Sequence, residues 1–156
     1  MITPDIKKRY LHLSGEYKDL FEELDQVNKE LFQYYDTLKD FHSKLKESIE
    51  QAGDDVERDW AILGRKTAAY ISAFEKLLKS YSPLTHETAE FMSELKTAGD
   101  HIVGLSLNQE KADKLITPLE TGLEELRSRF EKYVEELNVS KTEFKEIQKT
   151  FNRLKK

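Results

Sequence analysis

The four histidines, His12, His42, His86 and His101, are the side chains best suited to hold a metal or move a proton near neutral pH. Each stands alone. None lies four residues from another, and no Asp or Glu precedes any of them by three. The Glu-x-x-His pairs of di-iron bundles and the His-Glu-x-x-His zinc motif both depend on those spacings, because they place the ligands on one helix face. The histidines are therefore expected on the surface or at the edge of a packed seam. "GLSLN" at 104–108 approaches the Gly-x-Ser-x-Gly nucleophile turn, but Asn108 replaces the last glycine and no strand precedes it. The carboxylate runs Glu22-Glu23-Asp25, Glu124-Glu125 and Glu135-Glu136 read as solvated helix surface rather than as acid–base pairs. With no Gly-rich phosphate loop either, no catalytic, cofactor or metal residue is assigned, and an enzyme is not the expectation. Asn138-Val139-Ser140 matches the glycosylation sequon; in a chain whose N-terminus shows no apolar signal core, it reads as a chance match.

Charge is uneven only toward the C-terminus. "SKTEFKEIQKTFNRLKK" carries Lys141, Lys145, Lys149, Arg153, Lys155 and Lys156 against Glu143 and Glu146. Lys141, Lys145 and Lys149 are four apart, which stacks them along a helix. One reading is a cationic helix end that complements the helix dipole. The other is a contact with anionic lipid or an acidic partner, worth about 1 kcal/mol per basic residue near a charged bilayer.

The bulk numbers set the frame for those groups. The chain has 156 residues, 35% charged and 38% hydrophobic, with six glycines, three prolines and no cysteine. Length suits about one domain. Abundant Glu, Lys and Leu point to long helices, and eight Phe with seven Tyr argue against disorder. A net charge of −5 argues against nucleic-acid binding, which needs a basic surface. The lack of cysteine excludes disulfides and fits a reducing compartment, so a cytoplasmic protein is expected. No apolar run of about 18 residues is present to span a bilayer.

The elements follow from one hydrophobic rhythm. Ile6, Tyr10, Leu13, Tyr17, Leu20, Leu24, Val27, Leu31, Tyr34, Leu38, Phe41 and Leu45 alternate spacings of four and three, the heptad pattern of a helix with a buried stripe. Ile49, Ala52, Val56 and Trp60 extend it with one extra four-residue step. From Trp60 it continues through Phe74, passes Pro83 to Leu84 and Phe91, and runs on through Leu119, Leu126 and Phe130 to Leu154. Leu24, Leu31, Leu38, Trp60, Phe74, Phe91, Leu119, Leu126 and Phe130 are thus assigned to a core or dimer seam. Phe21, Phe32 and Tyr35 flank it and widen the stripe toward a bundle or an oligomer interface. The fold class is all-α: long amphipathic helices in an antiparallel three-helix bundle or coiled coil.

Four places offer a break: Gly53–Asp55, Ser82-Pro83, Gly99–Asn108 and Thr117-Pro118. The first is either a stutter within a continuing helix or a glycine end followed by an Asp cap. Each proline follows a hydroxyl residue, as suits an N-cap before a first-turn proline. Around Pro118 the heptad phase is unbroken and loop residues are lacking, so a kink or a restart within one rod is expected there. Ser82-Pro83 is the better candidate for a reversal. "GLSLN" is its rival, and would divide the chain into three nearly equal helices of about 70 Å at ~1.5 Å per residue.

Three segments carry a family resemblance. "DWAILGRKTAAYISAFEKLLKSY" looks like the close of a first helix, "SPLTHETAEFMSELKTAGDHI" like the opening of a second, and "NQEKADKLITPLETGLEELRSRFEKY" like its middle, where a Pro-Leu pair precedes a charged run. In these the chain resembles the BAR-domain superfamily of membrane-shaping helical modules. The resemblance implies long kinked helices in an antiparallel homodimer, with Pro118-Leu119 at the kink and Lys141–Lys156 near a tip that meets anionic lipid. It also implies a peripheral membrane protein that senses or stabilises curvature, its residues 1–156 forming one elongated helical domain or a fragment of a longer BAR-like one. The other expectation is a spectrin-repeat-like or adaptor-type bundle that binds helical protein partners and no lipid, which the three-way division and the net acidity favour.

Overall fold

The computed structural model describes residues 4–51, 58–104 and 109–155. They form three α-helices, α1 (Pro4–Gln51), α2 (Arg58–Gly104) and α3 (Gln109–Lys155), of 48, 47 and 47 residues. Among the described residues there is no strand. The chain is an all-α three-helix bundle in which α2 runs antiparallel to α1 and α3. The expected stutter or cap at Gly53–Asp55, the turn residues beyond Gly104 and the cap at Thr3 lie outside the described residues.

The reversal expected at Ser82-Pro83 does not occur. α2 passes through Pro83 without interruption, and α3 passes through Pro118, so no restart occurs there either. Each proline removes one hydrogen bond and crowds the carbonyl four residues back, at a cost of ~3 kcal/mol in a helix interior. Burial on the neighbouring stripe offsets it. Leu84 and Thr88 are fully buried just after Pro83, and Ile116 and Leu119 flank Pro118; one buried Leu or Ile contributes about 1.5–3 kcal/mol. Both prolines are exposed, so neither ring displaces a side chain of the core. The two segments that resemble the close of one helix and the start of another are therefore successive parts of α2.

Packing divides into two units, Met1–Val27 with Ser82–Tyr133, and Asn28–Tyr81 with Val134–Lys156. Every helix contributes to both. In the first unit the core is built from Ile6, Leu13, Tyr17, Leu20 and Leu24 of α1 against Leu84, Leu95 and Ile102 of α2 and Ile116, Leu119, Leu123, Leu126 and Tyr133 of α3. Two glycines admit aromatic rings: a methyl group on Gly99 would stand 2.2 Å from the Tyr10 hydroxyl, and one on Gly122 would stand 2.7 Å from the Phe91 ring. At native packing density only the absence of a side chain leaves that room.

Arginines join the helices of this unit at their margins. Arg9 of α1 donates to Asp113 and to Glu120 of α3, each at 2.5 Å. Arg127 of α3 meets Glu16 of α1 at 3.2 Å, and Arg129 donates to Glu87 of α2. The second unit relies on rings instead. Tyr34, Phe41, Tyr70, Phe74, Phe144 and Phe151 form a chain of stacked and edge-to-face contacts with centroids 5.1–6.4 Å apart. Trp60 closes it edge-on against Phe151 at 5.8 Å. Such geometry adds about 0.5–1.5 kcal/mol per pair beyond area burial.

Candidate functional site

The seam residues fix what remains outside. Leu24, Leu31, Leu38, Phe74, Leu119 and Leu126 are buried. Trp60, Phe91 and Phe130 are half-buried at the margins of the stripe. Within the seam, burial pushes four tyrosines above the ordinary phenol range: Tyr17, Tyr34, Tyr70 and Tyr133, the last to about 12. Tyr70 donates to the Ser140 carbonyl at 2.7 Å, and its oxygen lies 3.2 Å from the Tyr34 hydroxyl. Periodicity placed these rings on the stripe but gave no sign of the polar link across three helices. Burial keeps these phenols neutral, and the Tyr34–Tyr70–Ser140 link joins three helices of the second unit.

The histidines do not converge. His12 and His86 pair with glutamates one turn on, at 3.2 and 2.9 Å. His42 is half-buried, and burial with the nearby Lys46 lowers its pKa. His101 lies exposed at the margin of an α2–α3 groove of about 430 Å³ in the first unit, with Glu94, Lys114 and Pro118. Among the described residues no group of three or more His, Asp or Glu is gathered that could hold a metal ion.

The basic row at the end of α3 is the remaining candidate, and the structure spreads it around the helix. Lys141 is half-buried, its ammonium 5.8 Å from the centre of the Tyr34 ring on α1. Lys145, Lys149 and Arg153 are exposed. Steps of four residues overshoot a full turn by about 40° each, so the row winds from the α1 flank at Lys141 to the outward side at Lys149 and Arg153. Lys149 approaches Glu146 at 3.3 Å, a pair with both side chains in solvent. The Lys155 ammonium lies 5.2 Å from the Phe151 ring. Lys156 lies outside the described residues. Among the described residues, Lys145 and Arg153 enter no ion pair.

Folding also brings other charges to this row. Lys66 of α2 borders a groove of about 530 Å³ opposite Glu143 and Glu146 of α3. Sequence reading missed this because Lys66 and Glu143 are far apart along the chain and neither lies in a charge run. The outward side of α3 in the second unit is therefore mixed: Glu135, Asn138, Thr142 and Glu146 share it with Lys149 and Arg153. Val139, 57% exposed, adds an apolar group. A patterned polar face of this kind suits recognition by paired charges better than adsorption through uniform positive charge.

Comparisons with protein-family models, with curated proteins and with solved structures found no match to the chain.

Proposed function

We propose that the chain is a non-enzymatic helical scaffold that works by protein contact, in the manner of a spectrin-repeat-like or adaptor-type bundle, through the outward face of α3. The observation that carries this reading is the presence of both charge signs on that face, Glu135 and Glu146 followed by Lys149 and Arg153. The three nearly equal helices support it, since such a bundle presents long regular faces to another helix. The lack of cysteine supports a cytoplasmic location.

A second reading is a BAR-like homodimer that binds anionic membrane and senses or stabilises curvature, with a bend in α3 at Pro118. The exposed Lys145 and Arg153, free of ion pairs among the described residues, favour it. No helix of the described residues is long and apolar enough to cross a membrane, so contact with lipid would rest on these cations.

Co-sedimentation with vesicles separates the two. Protein contact predicts equal, negligible binding to phosphatidylserine and phosphatidylcholine vesicles at low salt. Salt-sensitive binding to phosphatidylserine alone, lost in Lys145→Glu/Lys149→Glu, would select the membrane reading.

A further inference from the structure

The outward face of α3 has an order that neither the basic row nor the seam accounts for. Counting from Thr142 in both directions, the residues four away are Asn138 and Glu146, and those seven away are Glu135 and Lys149. At about 100° per residue all five lie within about 40° of one line along the helix. All five are exposed. Steps of four and seven are the spacing at which two helices keep a shared contact line. The sequence extends the same count outward, with Glu131 and Arg153 each eleven residues from Thr142.

A contact between two identical surfaces about a two-fold axis requires that residue i meet j while j meets i. Laid antiparallel against itself with Thr142 at the centre, this face meets that condition with opposite charges. Glu135 opposes Lys149 of the second copy, and Lys149 opposes Glu135 of the second copy. Asn138, an amide donor, opposes the Glu146 carboxylate of the second copy, and the two Thr142 residues face each other. Parallel pairing would instead set Glu135 against Glu135 and Lys149 against Lys149. We infer that the outward face of α3 between Glu135 and Lys149 docks a second copy of this chain, antiparallel, about a two-fold axis at Thr142. The inference rests on the protein-contact reading and names its partner.

The pair between Lys149 and Glu146 within α3 does not prevent this. Its 3.3 Å contact joins side chains that are 75% and 63% exposed, and such pairs contribute little and rearrange freely. One helix face on each side is a small interface, so association is weak, dependent on concentration, and reduced by salt.

The chain has no cysteine, so Thr142→Cys supplies a single reporter on the proposed axis. Thr97→Cys is its matched control: both threonines are exposed, and each donates to the carbonyl four residues back at 3.1 Å. Under a glutathione redox buffer, full-length Thr142→Cys should form disulfide-linked dimer at least about tenfold faster than Thr97→Cys. In sedimentation velocity at low salt, Lys149→Glu and Glu135→Lys should each weaken dimerisation about tenfold or more, since each places like charges at two symmetric positions. The double charge swap should restore it. A chain that is monomeric at every concentration, or a dimer unaffected by the single reversals and coupled no faster at Thr142 than at Thr97, would overturn the inference. A dimer of the latter kind would leave the protein-contact reading standing. Binding to phosphatidylserine vesicles that Lys149→Glu abolishes, with no dimer formed, would overturn both.

Discussion

The Tyr17 hydroxyl donates to the Leu119 carbonyl at 2.5 Å, tying α1 to α3 one residue beyond Pro118. Tyr17 is fully buried, and its ring stacks on Phe91 of α2 with centroids 6.1 Å apart. One side chain thus contacts all three helices of the first unit. A slip of one heptad between α1 and α3 would move this hydroxyl by ~10 Å at ~1.5 Å per residue. Register in this unit is therefore specified by a directional bond as well as by the apolar stripe. Tyr17→Phe keeps the ring and removes the bond. A loss of about 0.5–1.5 kcal/mol is expected in urea unfolding, with an unchanged slope against denaturant.

The two buried threonines of α2 differ in a way that predicts opposite results. Thr88 donates to the Leu84 carbonyl at 2.8 Å. Thr67 is 1% exposed, and its hydroxyl has no hydrogen-bond partner among the described residues. Burying a hydroxyl without a partner costs about 1–3 kcal/mol. Thr67→Val keeps the shape and should raise stability by about 1 kcal/mol, whereas Thr88→Val should leave it unchanged or lower it. Thermal denaturation of the two variants side by side checks the sign.

The buried tyrosines give the protein an alkaline limit. Burial raises the pKa values of Tyr17, Tyr34, Tyr70 and Tyr133 above those in the unfolded chain, about 10 for a free phenol. The neutral phenol is thus favoured in the folded state. Its contribution is complete below about pH 10 and is lost as pH rises past that value toward the folded pKa, about 12 for Tyr133. Unfolding free energy should be flat with respect to these groups at neutral pH and fall steeply above pH 10. Ultraviolet titration of phenolate should show the buried tyrosines ionising together with loss of helix.

Much of the fold was legible because core positions must be apolar at spacings of three and four. Leu13 through Leu45, and Ile116 through Phe151, lie buried or half-buried where that rhythm put them. The reversals were harder to read. Ser82-Pro83 has the chemistry of a helix start, and only its outward position on α2 shows that the helix can carry the defect. Periodicity also assigns residues to a stripe without saying what crosses it. The forked hold of Arg9 on Asp113 and Glu120, and the Tyr34–Tyr70–Ser140 link, depend on which helix neighbours which. The basic row was visible as composition. Its winding around α3, and the acidic groups interleaved with it, follow from 3.6 residues per turn once the buried side is known.

An exposed proline inside a continuous helix makes a clear mutational prediction. Pro83→Ala restores the hydrogen bond to the Lys79 carbonyl and relieves the ring clash. The gain is reduced by the extra freedom of the unfolded chain. A net stabilisation of about 1–3 kcal/mol is expected by chemical denaturation. At a true turn or first-turn position the same change would be neutral or destabilising.

The continuity of α2 through Pro83 makes the chain a three-helix bundle with α3 as a separate presenting helix. Amide hydrogen exchange over residues 80–90 tests it most directly. In one continuous helix the amides of Leu84, Thr85 and His86 bond to the carbonyls of Ser80, Tyr81 and Ser82. In a helix that begins at Pro83 they would be among the first four donors, which have no partner within the helix. One continuous helix predicts that these three amides exchange as slowly as those of Glu87 and Thr88. Fast exchange at Leu84, Thr85 and His86, beside slow exchange from Glu87 onward, would place a helix start at Pro83 and contradict it.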